Sequence, residues 1–224
     1  MAEQKGMDPR ASRLSNRSGE IVEASTTRLR AVAPRAFEAP AFGSFVRTSD
    51  NARIVYGVVS HVEHASIDPS RRAIPLGRTW DELRREQPQV LELLTTEFEA
   101  ICVAFAEPAG WSEATPSEAR IHAYLPPIPP RIHDFVEPCA PDEINALTDD
   151  LSFIRTLGAT GLPVVGELIA AAIRSAAVHR ADTEGFRVRA GREVADLFRQ
   201  DHELMLSIIR RIRAVEPSVS KTNR

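Results

Sequence analysis

The hydrophobic rhythm of the chain changes near residue 140, and that change constrains the fold more than any single motif does. Before it, short runs alternate apolar and polar residues between Gly and Pro punctuation, the period of strands. After it, three long apolar-periodic segments carry the helical period with no strand-like run between them. Strands followed by helices define an α+β protein whose two halves are built by different rules.

In the strand-rich half, Gly19-Glu20-Ile21-Val22-Glu23 reads as a short strand. Thr27-Arg28-Leu29-Arg30-Ala31 alternates, placing Arg28 and Arg30 on one face and Leu29 on the other. Pro34 and Pro40 bound a loop. Two further runs, Gly43 to Thr48 and Arg53 to Val59, flank a turn-rich linker of hairpin length, and the β-branched density of the second marks a central strand. A helical insertion follows. Thr79 and Glu82 have capping-box spacing, and Pro88 suits the first turn of a second short helix through Leu94. Phe98 to Ala106 and Ala119 to Leu125 return to strand. The run Pro126-Pro127-Ile128-Pro129-Pro130 is extended, suited to a strap across a barrel end or to an SH3-type ligand. About six short strands with one helical excursion predict a small antiparallel β-barrel over residues 19–138, whose closure removes exposed edges.

The second half, residues 139–216, predicts a bundle of about three α-helices. Pro141-Asp142-Glu143 suits a first turn, Ile144, Leu147, Leu151 and Ile154 form a stripe, and Gly158 offers a left-handed stop. The second helix spans about Pro163 to Arg180, and its alanine richness implies close packing against a neighbour. The third spans about Gly191 to Val215, with Asp201 falling on its apolar stripe as the one misfit. Residues 1–18 and 217–224 lack periodicity and read as disordered tails.

With 224 residues the chain suits one medium domain or two small ones, and 43% hydrophobic and 26% charged residues are those of a soluble globular protein. A formal charge of -3 argues against nucleic-acid binding by the whole surface, though not against a local basic patch, and 6% aromatics weakens a base-stacking platform. Cys102 and Cys139 form no CxxC pair, and Cys102 lies in the apolar run Ile101 to Phe105, where a buried, unreactive thiol is expected. A reducing compartment follows from that usage. The N-terminus is polar and no run of about 18 apolar residues occurs, so the cytoplasm is expected, with no membrane partner.

Candidate chemistry is sparse, and no cofactor is expected. Gly161-Leu162-Pro163-Val164-Val165-Gly166 has the glycine spacing of a phosphate loop, but Glu167 and Leu168 stand where that loop needs Lys and Ser or Thr. It reads as a helix-to-helix turn. His61 and His64, three apart on a strand, face opposite ways and cannot share a metal without a bulge, and His133 with Asp134 lacks a third ligand. Glu97 and Glu99 share a strand face but one acidic pair does not define a two-metal site, and Asp149 and Asp150 diverge by about 100° on a helix. The basic C-terminal end, with Arg210, Arg211, Arg213 and Lys221 foremost, suits phosphate or DNA contact, or simply complements a helix dipole.

Taken together, Gly19 to Thr26, Gly43-Ser44-Phe45-Val46 and Tyr56-Gly57-Val58-Val59 resemble the opening strands of HAS-barrel domains. These are the small barrels at the N-terminus of HerA-type DNA translocases and of catalytic ATP synthase subunits. Ala119 to Tyr124 and the proline-rich strap are similar to the closing strands, so the resemblance spans residues 18–138. Leu76 to Leu83 is also similar to small bacterial proteins carrying a lone barrel of this kind. In the translocases the barrel shapes a hexameric ring and docks a nuclease, while a following motor hydrolyses ATP. Here about 85 helical residues follow instead, without Walker motifs.

The resemblance therefore implies a non-enzymatic adaptor or assembly subunit, docking to an ATPase or nuclease partner, with association into a homo-oligomer as a second expected contact. Arg28, Arg30 and Arg47 are the expected docking face. Two other expectations stand beside it: a metal-dependent nuclease using Glu97, Glu99 and Asp134, and DNA binding through the C-terminal arginines.

Overall fold

The computed structural model describes residues 17–50, 52–68, 70, 73–107 and 120–214. Residues 1–16 and 215–224 lie outside the described residues, and with them all but Arg17 and Ser18 of the expected tail 1–18, the whole of the expected tail 217–224, and Lys221. The strands are β1 Gly19–Ala24, β2 Arg28–Val32, β3 Phe45–Ser49, β4 Ile54–Ser66, β5 Leu94–Glu107, β6 Arg120–His122 and β7 Phe135–Pro138. The helices are α1 Trp80–Glu86, α2 Pro88–Leu91, α3 Pro141–Asp149, α4 Ser152–Gly158, α5 Val165–Ala177, α6 Thr183–Leu197 and α7 His202–Arg213. None of the described helices is long and apolar enough to cross a membrane.

Every strand pairing is antiparallel, and the ring β1-β2-β5-β4-β3-β7-β1 closes a six-stranded barrel. Inside it Ile21, Leu29, Val46, Val59, Phe98 and Val136 make one apolar cluster. The small residues Ala31 and Ala100 complete it, as a narrow barrel requires. The first strand begins at Gly19 as its alternating run predicts and ends one residue later, at Ala24, and just before it the Ser18 amide donates to the Val136 carbonyl at 2.8 Å.

The strand that closes the barrel is β7, not the run around residue 121. Arg120–His122 pairs only with the far end of β5, where His122 faces Phe105, beyond the ring. The proline-rich stretch then carries the chain back. Arg53 reaches the Ile128 carbonyl at 3.5 Å and Arg131 pairs with Asp50 at 3.5 Å, so the stretch crosses the β3–β4 turn before entering β7. Val55, Cys102 and Phe105 form a small cluster at this end, with Tyr124 set edge-on against Phe105.

Outside the ring, β3, β4 and β5 present a second apolar face. Phe45, Tyr56, Val58, Ile101 and Val103 join Phe153, Ile154, Leu168, Ile169 and Ile173 in one cluster, so the helices pack on their own barrel. Helix α5 is the hub. It touches α3, α4, α6, α7 and β3, and nine of its residues are buried.

Among the described residues five helices follow the barrel, where about three were expected. The first expected helix breaks at Asp150, whose extended backbone ends α3 and whose carboxylate accepts the Ser152 amide at 2.8 Å. The third is two helices as well. Asp201, the misfit on its stripe, is the N-cap of α7, accepting the Leu204 amide at 2.9 Å. Asp182 caps α6 in the same way, so that helix begins at Thr183, well before Gly191. Gly158 ends α4 without a left-handed turn; the left-handed glycine is Gly161, at φ 68°.

Candidate functional site

Where β2 ends, the chain turns through Pro34 and Arg35 into Phe37, and there the backbone is strained. Phe37 sits at φ 71°, a left-handed conformation that a bulky side chain rarely adopts. Its amide donates to Thr96 Oγ1 at 2.7 Å, and that hydroxyl, fully buried, also meets His64 Nδ1 at 2.8 Å. His64 and Thr96 are direct partners across β4 and β5, so the barrel itself fixes the anchor. The strain turns the Phe37 ring outward. It stands 4.6 Å from the His64 ring and 4.8 Å, edge-on, from Trp80.

Trp80 comes from the other side of the site. It is the first residue of α1, held by the capping box of Thr79 and Glu82: the Glu82 carboxylate accepts the Thr79 amide at 2.8 Å. That hydrogen bond is also what lowers the Glu82 carboxyl below its ordinary range. Phe37 is 43% exposed and Trp80 37%, with Ile67 and Leu93 more open still. Phe37, Trp80 and Ile67, with Pro34 and Leu94, line a groove of about 530 Å³ whose charged lining, among the described residues, is Arg35 and Glu92. Helices α1 and α2 bury no residue, so the insertion forms one wall of the groove and leaves its outer side to solvent. An aromatic, largely apolar concavity with open rings is what a partner's side chains enter.

The expected docking arginines do not form one face. Arg28 and Arg30 project from β2, while Arg47 lies on β3, diametrically opposite in the six-strand ring. Arg30 donates to Glu99 through two nitrogens at 3.1 and 2.6 Å, and Arg28 and Arg30 each lie 3.9 Å from Glu23. Arg47 is consumed at the junction with the helices. It donates to Glu137 of β7 at 3.0 Å and to Glu143 of α3 at 2.8 Å. Burial works against the Arg47 charge, but these two carboxylates outweigh it and hold the guanidinium above its ordinary range. Neighbouring Cys139 is pushed well up by burial, and Tyr56 is raised for the same reason.

Glu97 and Glu99 do share the outer face of β5, yet Asp134 lies just before β7, the strand opposite β5 in the ring. The three acids do not converge. Asp134 is raised chiefly by burial, with Asp50 adding repulsion. His61 pairs with Glu63 at 3.5 Å while His64 turns to Thr96, and His133 meets Glu20 at 2.6 Å. Among the described residues no group of three or more His, Cys, Asp or Glu is placed to hold a metal ion. Asp149 pairs with Arg180 at 2.5 Å, and Asp150 accepts the Ser152 amide between α3 and α4.

The phosphate-like glycine run is a turn between helices. Gly166 lies in the first turn of α5, where an added Cβ would meet Leu204 at 2.9 Å. Glu167 takes Arg211 at 2.6 Å, which removes Arg211 from the basic cluster. Arg210 is exposed on α7, and Arg213 meets Arg187 and Arg192 of α6 across a separate groove of about 210 Å³.

The aromatic groove was not apparent from the sequence, because Phe37, His64, Trp80 and Thr96 come from four separate segments. A Phe in a loop bounded by Pro34 and Pro40 and the capped Trp80 were its only local signals. No protein-family model matches the chain, and no curated protein matches it.

Proposed function

We propose that this chain is a non-enzymatic adaptor or assembly subunit that docks to a HerA-type translocase or related DNA-processing complex through its barrel. The docking face in this reading is the groove of Phe37, Trp80 and Ile67 rather than the arginines of β2 and β3. The observation that carries it is Phe37 itself. A bulky residue held at φ 71° by a buried Thr96 hydroxyl, with its ring left open, spends stability on presentation rather than on packing. The partner class rests on the likeness of the opening strands to HAS-barrel domains. A barrel and helices sharing one core also support the reading, since a rigid body presents a docking face without an ordering cost.

The test is affinity capture from native extract with the wild-type protein and with Phe37→Asp. An ATPase or nuclease subunit recovered by the wild type and lost with the variant is expected. Recovery of neither, or equal recovery by both proteins, contradicts the reading.

A further inference from the structure

Helices α6 and α7 pack on each other after the tight turn at 198–201, and both line a groove of about 210 Å³. Gly191 and Ala195, one helical turn apart, line it with Val188 and Ile209. Glycine inside a helix is unfavourable relative to alanine, so its presence there needs a reason. Gly158 and Gly166 have one, since an added Cβ would press on Leu197 and Leu204 at 3.0 and 2.9 Å. A Cβ at Gly191 would meet nothing within 4 Å. Packing within the described chain does not ask for glycine at this position, and Val188 beside it is 46% exposed.

The rim is basic. Arg187, Arg192 and Arg213 edge the groove against one carboxylate, Glu184, which lies 3.9 Å from Arg187. Arg192 and Arg213 make no ion pair among the described residues, unlike Arg28, Arg30, Arg47 and Arg211. In a chain of formal charge -3 this is a local excess of positive charge around an apolar, small-residue floor.

The geometry points to the α6–α7 groove as a docking site for an acidic amphipathic helix of a partner protein. Two packed helices leave a trough that a third helix fills, and a small-residue floor lets its backbone come close. Carboxylates flanking the partner's apolar stripe meet Arg187, Arg192 and Arg213 at the edges, where charge complementarity sets orientation. A phosphate backbone suits the rim but gains nothing from Val188, Ala195 and Ile209. The site is independent of the barrel groove.

The test titrates the whole protein into a fluorescein-labelled helical peptide with an Ala/Leu stripe flanked by Glu, read by anisotropy. A peptide of the same composition with the stripe scrambled, and a short duplex DNA, are run beside it. Saturable binding to the striped peptide is expected, weakened about tenfold or more by Arg192→Glu and by Gly191→Leu, which fills the trough. Circular dichroism checks that both variants keep their helices, and Arg192→Gln serves as a milder second variant. Phe37→Asp leaves peptide binding unchanged, which separates this site from the barrel groove. Absence of saturable peptide binding overturns the inference. So does equal binding of the scrambled peptide, undiminished binding by Gly191→Leu, or binding of the duplex in place of the peptide.

Discussion

Gly43 and Ala171 touch where the barrel meets helix α5. A Cβ built on Gly43 would collide with the Ala171 side chain and lie 2.8 Å from its backbone carbon. Gly43 also sits at φ 81°, so both the contact and the conformation call for glycine. The alanine richness of α5 has its physical meaning at this junction, where backbone packs on backbone.

Gly43→Ala is therefore expected to lower stability by about 2–4 kcal/mol, combining left-handed strain with overpacking. Urea unfolding followed by circular dichroism and by tryptophan fluorescence checks it. Because barrel and helices share one core, both probes report a single transition in the wild type.

The Arg47–Glu143 pair ties α3 to β3, and Glu143 is only 6% exposed. Removing one partner of a buried pair leaves the other charge uncompensated, so Glu143→Ala costs about 3 kcal/mol or more. Arg30→Ala on the outer barrel face, where the pair with Glu99 is open to water, costs about 1 kcal/mol or less. Chemical denaturation of the two variants side by side gives the comparison.

Burial pushes the Cys102 thiol up to about 12 from an ordinary 9.0. Between those values the unfolded chain has lost a proton that the folded chain keeps. The stability this group contributes is complete below pH 9.0 and is lost as pH rises toward about 12. The loss approaches about 1.4 kcal/mol per pH unit for this thiol, with Cys139 and Tyr56 shifted in the same direction. Cys102→Ala is expected to flatten the alkaline fall of the unfolding free energy by that single-group share. At neutral pH both thiols resist disulfide reagents until the protein unfolds.

Phe37→Gly relieves the left-handed backbone at φ 71° and gives up an exposed ring rather than a buried one. The fold is expected to be unchanged or more stable by about 1 kcal/mol. A loss of about 3 kcal/mol or more, the cost of deleting a core phenylalanine, would mean the ring packs rather than presents. Thermal unfolding measures the difference.

The local elements were legible in the sequence where one segment carries its own signal. The alternation at Arg28, Leu29 and Arg30 gives β2, Thr79 with Glu82 gives the start of α1, and the burial of Cys102 follows from its apolar run. Non-local pairing was not legible. Phe135 to Pro138 is short and bounded by prolines and a histidine, and only its two neighbours, β1 and β3, make it the closing strand. Asp201 lay on an apolar stripe that continues across two helices, and its cap role depends on a break that periodicity does not reveal. Arg47 looked free because its partners Glu137 and Glu143 lie some ninety residues away. The same long range hid the Phe37–Trp80 groove.

The most direct measurement places a photo-crosslinking amino acid at position 37 in intact cells, with position 178, the exposed valine at the C-terminal end of α5, as the comparison. The docking account predicts a cross-link from position 37 to a subunit of a translocase or DNA-processing assembly, and none to that subunit from position 178. No cross-link from position 37, or the same product from both positions, would contradict it.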